Sequence, residues 1–348
     1  MSCYNGASQG KFTHTTRQYS LFDDVSGIKI GSCSEEQTSA TDYPCDGAHC
    51  RRRRTLHFGD RPISWEETCF CHGKLGHKLW SSGLVLSLYL ANCFCVEGLF
   101  QTQEPLHQSS DATPLHVVEL GAGVGLPSIV ARDILQARHV TATDFWDLES
   151  PCDNDTAGTF LSATERHGRY VPKAEHGANL VRNVGSASRF DWRKDRPDIL
   201  FDPATLLLGS DLLYDKDDVK PLWRTLVKFL RSGRRMVRDE NNHNGSDNDD
   251  DTESEEEKAS IVEETEAPKQ KKLILLVSPL HPDVRDDLPA FLQLLQEKAD
   301  VCKYVVTLRT LRLEVSDEDA SAPRTFVLVQ MQNKKLVLKH KSSVHCSP

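Results

Sequence analysis

Apolar positions along this chain switch between two rhythms. Residues 80–90 place Leu84, Leu88 and the Val85/Tyr89 pair at helical spacing, which predicts a helix. Residues 115–120 form a short apolar run and read as a buried strand. A helix is predicted over 125–135, opened by a glycine loop, with Pro127 in its first turn, where a missing N–H costs little. A second strand follows at 139–143, a helix at 175–184 and a third strand within 199–208. Residues 217–230 carry Leu222, Leu226, Phe229 and Leu230 on one helical face. A strand at 273–277 and a helix at 288–299 come next. The alternating runs 301–315 and 325–338 are expected to pair as antiparallel edge strands. Strands interleaved with helices imply right-handed crossovers and a mostly parallel sheet covered on both faces.

The segments outside this rhythm are polar. Residues 1–53 read as an irregular, partly disordered extension, which runs into four consecutive arginines, Arg51, Arg52, Arg53 and Arg54. Such a run is either a polyanion-binding or nuclear-entry patch, or a solvated loop, and the second reading is favoured. Residues 232–270 hold almost no large apolar side chain and read as a disordered insert. They also change the meaning of the net charge of −9. Residues 239–266 contain 13 Asp and Glu against one Lys, so the rest of the chain is near neutral. No run reaches the ~18 apolar residues of a membrane span. The first residues lack the apolar core of a secretory signal. Eleven irregularly spaced cysteines in a 348-residue chain fit reduced thiols in the cytosol or nucleus.

The chemistry centres on Glu119-Leu120-Gly121-Ala122-Gly123-Val124-Gly125, where a strand ends in a carboxylate and a glycine turn leads into a helix. Glycines allow sharp bending and close approach of backbone to a ligand. In wound sheets, ligands bind outside the carboxyl ends of the strands. A dinucleotide turn has its third glycine one position later, and here position 126 is Leu. Glu119 would repel a pyrophosphate and suits a cationic ligand. S-adenosylmethionine, with a sulfonium and an α-ammonium and no phosphate, meets that charge logic better than a nicotinamide dinucleotide. Asp144, at the tip of the next strand, is placed for the hydroxyls of a ribose in either ligand. Trp192 either stacks on an adenine or packs in the core. Ser210, Asp211 and Tyr214 lie on the binding rim after the third strand. The pairs Cys69/Cys71 and Cys93/Cys95 have C-x-C spacing, not the C-x₂₋₄-C of structural zinc, and no metal is expected.

Taken together, these residues resemble the seven-β-strand, DxxY-type methyltransferases of methyltransferase family 16, many of which methylate lysines in other proteins. The resemblance rests on Trp80-x-x-Gly83 before a helix ending Tyr89-Leu90, the Glu119 to Pro127 turn, Asp144, Asn179-x-x-x-Asn183, Asp191-Trp192 and Asp211-Leu-Leu-Tyr214. It implies a Rossmann-like seven-stranded sheet, mostly parallel, with helices on both faces. The methyltransferase domain would span 54–340, with insertions at 147–173 and 232–270. It implies that Trp80 borders the cofactor pocket with Glu119. Gly121, Ala122 and Gly123 would line the methionine part, Asp144 would hold the ribose, and Trp192 would pack near the adenine. Ser210, where the family more often has Ala, would lie under the cofactor, and Asp211 and Tyr214 would border the acceptor.

The expected activity is transfer of a methyl group from S-adenosylmethionine to a protein side chain, foremost a lysine amine. The alternatives are a small-molecule or histidine N-methyltransferase of the same fold, and a non-catalytic module that keeps the shape for binding. The expected partner is a protein substrate, with no direct nucleic-acid or membrane contact. The protein is expected to be a monomer in the cytoplasm, with the nucleus as a second compartment.

Overall fold

The computed structural model describes residues 14–38, 51–68, 78–92, 114–146, 174–195, 198–213, 216–233, 272–280, 287–302, 304–316 and 324–333. Strands β1 (His14–Asp23), β2 (Lys29–Thr38), β3 (Arg51–Phe58) and β4 (Arg61–Thr68) come first. Helix α1 (Ser81–Asn92), β5 (His116–Leu120), α2 (Leu126–Asp133), β6 (His139–Asp144), α3 (Ala174–Val184) and β7 (Ala187–Arg189) follow. After a helical turn at Asp198–Phe201 come β8 (Leu206–Ser210), α4 (Val219–Arg231), β9 (Leu273–Pro279), α5 (Asp287–Cys302), β10 (Tyr304–Ser316) and β11 (Arg324–Asn333).

The eleven strands among the described residues form one sheet in the order β4-β3-β2-β1-β10-β11-β9-β8-β5-β6-β7. The five strands from β9 to β7 pair in parallel. The other pairings are antiparallel. This corrects the expected seven-stranded, mostly parallel sheet. It also corrects the placement of β10 and β11 as edge strands, because β1 pairs along β10 from Gln18 opposite Ser316 to Asp23 opposite Leu311. The stretch 1–53, read as irregular, supplies β1, β2 and the start of β3.

Strand residues alternate between two cores, as a period of two requires. Val117, Leu206, Leu208, Leu273 and Leu275 face α1 and α2, while Val118, Leu207, Ile274 and Leu276 face α4 and α5. The N-terminal strands curl over α1 and α2: Tyr19, Leu21, Leu56, Ile63 and Trp65 join the same core as Leu84, Leu88 and Ile129. At the end of this curl, Arg61 donates to Ile134 O at 3.3 Å. Helix α1 therefore has protein on all sides and is buried continuously from Ser82 to Leu90. A helix covered all round has no need of a polar face, and α1 shows none over that span.

Candidate functional site

The carboxyl ends of β5, β6 and β8 converge on the glycine turn. Gly121, Gly123 and Gly125 have φ of 57°, 57° and 78°, in the left-handed region that L side chains rarely adopt. The turn closes through Gly125 N–H donating to Ala122 O at 2.7 Å. It is tied to β6 by Ala122 N–H donating to Thr143 O at 2.9 Å and by Thr143 Oγ1–H donating to Glu119 O at 2.7 Å. A Cβ at Gly121 would lie 2.6 Å from Leu212 Cδ2 and 3.8 Å from the Trp192 ring. The loop is thus pressed between two neighbours and cannot widen.

Asp144 ends β6, half-buried with its side chain 18% exposed. Its Oδ2 accepts the Gly123 N–H at 2.8 Å and its Oδ1 the Phe145 N–H at 2.7 Å. His176 Nε2 lies 3.0 Å from the same Oδ2. Burial raises the pKa of this carboxyl, but His176 and the two N–H donors outweigh it and hold it below its ordinary value. An ionised carboxylate with a partly exposed edge therefore faces the turn.

Glu119 is turned inward rather than toward solvent. It is fully buried, and Oε2 accepts the Ser128 N–H at 3.0 Å and its hydroxyl at 2.5 Å. Oε1 has no hydrogen-bond partner among the described residues. Burial pushes its pKa up to about 8. In the absence of a cation, Glu119 is then largely protonated at neutral pH, so the charge repulsion expected of it is weak until a positive group arrives.

Trp192 lies over Gly121 with its Nε1 buried and without a hydrogen-bond partner among the described residues. Its segment is held to α4: Arg193 pairs with Asp218, and Thr225 Oγ1–H donates to Trp192 O at 3.3 Å. Ser210 ends β8, and its Oγ would lie 3.5 Å from a Cβ at Gly83 on α1. Trp80 O accepts the Gly83 N–H at 3.0 Å and so starts that helix. Asp211 is buried with φ of 54°, and its N–H donates to Val277 O at 2.9 Å. A non-glycine residue in this conformation carries backbone strain, which gathers at functional sites. Tyr214 lies outside the described residues, as do the segment 147–173, the 234–270 part of the acidic insert, and the C-x-C cysteines. Cys33 is a buried free thiol, its pKa pushed up to about 12 by burial and by the Glu35 charge. Among the described residues no cluster of three His, Cys, Asp or Glu could hold a metal.

The sequence reading names Asn179 and Asn183 on α3 only as part of the family motif, without a role, and misses His176. His176, Asn179 and Asn183 recur at i, i+3 and i+7, all buried on one helical face. Asn183 Nδ2 donates to Val124 O in the glycine turn at 3.0 Å and to Glu66 O on β4 at 3.1 Å. Its Oδ1 accepts the Glu66 N–H at 2.9 Å. The Asn motif therefore clamps the turn to the N-terminal strands. The spacing alone, a polar stripe on an otherwise apolar face, was the available signal.

Residues 63–157 match the family described as lysine methyltransferase, methyltransferase family 16. The chain resembles a protein-lysine methyltransferase. Two relatives carry the same likeness. Methyltransferase-like protein 22 of Mus musculus is 31% identical over 160 residues, 45% of this chain and 36% of that protein. The Homo sapiens protein of that name is 29% identical over 156 residues, 44% and 34% of the two chains. The matched region spans little more than a third of the length of these relatives. Among solved structures, a precorrin-6y C5,15-methyltransferase from Geobacter metallireducens aligns with a TM-score of 0.33 at 9% identity, covering 68% of this chain and 95% of that one. A branched-chain polyamine synthase from Thermus thermophilus gives 0.36 at 10%, covering 71% and 55%.

S-adenosylmethionine is the cofactor this resemblance implies, and the residues present fit it. The glycine cradle lets backbone approach a ligand closely, and Asp144 offers an ionised carboxylate with a partly exposed edge, while Glu119 lies buried behind the strand end.

Proposed function

We propose that the protein is an S-adenosylmethionine-dependent methyltransferase acting on a lysine amine of a protein substrate. The observation that supports this best is the juxtaposition of Asp144 with the left-handed turn, through the 2.8 Å bond from Gly123 N–H to Asp144 Oδ2. A nucleoside sugar placed on that carboxylate would bring the remainder of the ligand along Gly121 and Ala122. When bound, the cofactor supplies an electrophilic methyl group for in-line displacement. The protein's task is then alignment, where effective molarity alone is worth roughly 7–11 kcal/mol.

Asp144 and the turn bind and orient. Trp192 and Leu212 wall the turn and exclude water from it. Asp211, held at the rim by its strained backbone, is proposed to orient the incoming amine, and Tyr214, three positions on in the sequence, is proposed to border the acceptor. A lysine must lose its proton before attack, and desolvation next to a positive centre lowers its pKa toward neutrality.

The test is a calorimetric titration with S-adenosylmethionine and, separately, NADH, repeated on Asp144→Ala. The expected result is binding of the sulfonium ligand alone, lost in the variant. A radiolabelled methyl group then identifies the acceptor in cell extract, and hydrolysis of the labelled protein shows whether lysine or histidine carries it. Absence of S-adenosylmethionine binding would move the non-catalytic module to first place.

A further inference from the structure

We propose that His176 is a positioning residue for ribose binding, acting through Asp144. This rests on the cofactor reading above and goes beyond it. His176 is fully buried on the first turn of α3, and its Nε2 lies 3.0 Å from Asp144 Oδ2. Facing an ionised carboxylate, that nitrogen donates in either protonation state of the ring.

The count of lone pairs gives the bond its function. Oδ2 already accepts from Gly123 N–H, and His176 takes its second position. Oδ1 accepts from Phe145 N–H and keeps one position unused by these bonds. The three donors fix both the rotamer and the charge of Asp144, and leave Oδ1 as the acceptor for a sugar hydroxyl. Without His176 the carboxylate keeps its two backbone bonds and loses its one side-chain donor, so its orientation is held less tightly.

The His176 ring is itself held from behind. Trp146 meets it edge-on, with ring centroids 6.3 Å apart. The indole also covers Gly177, where a Cβ would lie 2.6 Å from Trp146 Cε2. Glycine at 177 is what lets Trp146 approach closely enough to brace position 176. The chain thus spends a tryptophan, a glycine and a buried histidine on the orientation of one carboxylate. A carboxylate that merely capped the following turn would not need them.

The experiment measures affinity for S-adenosylhomocysteine and for its 2′,3′-dideoxyribose analogue in wild type, His176→Leu and His176→Gln. Glutamine places an N–H donor close to where Nε2 lies, and leucine places none. His176→Leu is expected to weaken S-adenosylhomocysteine about tenfold, the scale of one charge-assisted hydrogen bond. His176→Gln is expected to bind within threefold of wild type. The dideoxy analogue should bind wild type and His176→Leu equally, because it lacks the groups Asp144 serves. If leucine prevents folding, His176→Asn, whose shorter amide cannot reach Oδ2, takes its place.

A His176→Leu protein that binds S-adenosylhomocysteine as wild type does would overturn the proposal and leave the cofactor reading standing. Equal losses for both ligands would reduce His176 to a structural residue and also overturn it. Wild-type protein that fails to bind S-adenosylhomocysteine at all would overturn the cofactor reading, and the proposal with it.

Discussion

Arg54 on β3 donates through Nε to Glu35 Oε1 on β2 at 2.6 Å, deep under the N-terminal strands. Its Nη1 donates to Glu67 Oε1 on β4 at 2.9 Å, so one guanidinium serves two buried carboxylates. Tyr19 Oη–H donates to Glu35 Oε2 at 2.7 Å. The Trp65 indole and the Leu79 N–H donate to Glu67 Oε1 at 3.1 and 3.0 Å. Arg54 also lies over the Trp65 ring, 5.3 Å from its centroid. The arginine run is thus neither a loop nor a uniform patch: Arg53 faces solvent and Arg54 organises the core of the curl.

Removing one member of such a cluster strands the others. Arg54→Met is expected to cost roughly 3–5 kcal/mol, because Glu35 and Glu67 keep their burial and lose their cation. Arg53→Met should stay within about 0.5 kcal/mol. Urea unfolding of the two variants makes the comparison. Burial raises the Glu35 pKa, but Arg54 and Tyr19 outweigh it and the net shift is downward. A depressed carboxylate contributes stability above its unfolded pKa and loses it as the pH falls through its folded value. The gap between wild type and Arg54→Met should therefore narrow in acid.

That cluster explains why the first part of the fold was hard to read. The parallel strands announce themselves, because runs such as Leu206-Leu207-Leu208 are buried on both faces. In β2, β3 and β4 the inward positions include Glu35, Arg54 and Glu67. Charges at core-facing sites cancel the alternation that marks a half-buried strand. Their compensation comes from partners 13 to 19 residues away, which no local window sees. β10 looked like an edge for the same reason: its partner β1 was hidden in polar sequence.

Glu119 gives a pH dependence of the opposite sign. Its folded pKa of about 8 lies above the ordinary value of 4.5, because burial favours the neutral acid. A raised carboxyl contributes stability fully below its unfolded pKa and loses it as the pH rises through the folded value. Glu119→Gln keeps an acceptor for the Ser128 N–H and removes the titration. The variant should match wild type near pH 5 and exceed it above pH 8 in the absence of ligand, read as Tm against pH. Parallel curves for the two proteins would show that Glu119 does not titrate in this range.

The site was more legible than the curl. Asp144, the three glycines and Trp192 fall together because each ends or follows a strand of the parallel set, and strand ends are placed by topology. His176 and Ser128 were not legible. Each acts on a carboxylate, Asp144 or Glu119, that lies 32 or 9 residues away.

Asp211 separates backbone strain from chemistry. At φ of 54°, Asn is among the few residues that tolerate the left-handed region, and Ala is not. Asp211→Asn is expected to fold and bind S-adenosylmethionine as wild type does, while losing methyl transfer to the labelled acceptor. Asp211→Ala should show the same loss plus about 1 kcal/mol of destabilisation. Full transfer by Asp211→Asn would remove the carboxylate from the acceptor chemistry.

The two ends that flank the acidic insert meet at one point. Lys272 Nζ, buried at the start of β9, donates to Ser232 Oγ at 2.7 Å and to Phe201 O at 2.6 Å. It also lies 4.8 Å from the Phe229 ring centroid. Ser232 ends α4, its hydroxyl donating back to Phe229 O at 2.8 Å. The two ends are thus closed by side chains that belong to the core, not to the insert. Deleting 240–266 shortens the connection from roughly 40 to roughly 12 residues, and the smaller closure entropy is worth about 1 kcal/mol in favour of the fold. The deletion should leave Tm unchanged or slightly raised, and S-adenosylmethionine affinity unchanged. Lys272→Met should instead lower stability by roughly 1–3 kcal/mol, since Phe201 O loses its buried donor. A deletion variant that unfolds would mean that the insert supplies part of the core, and that the boundary after Ser232 is misplaced.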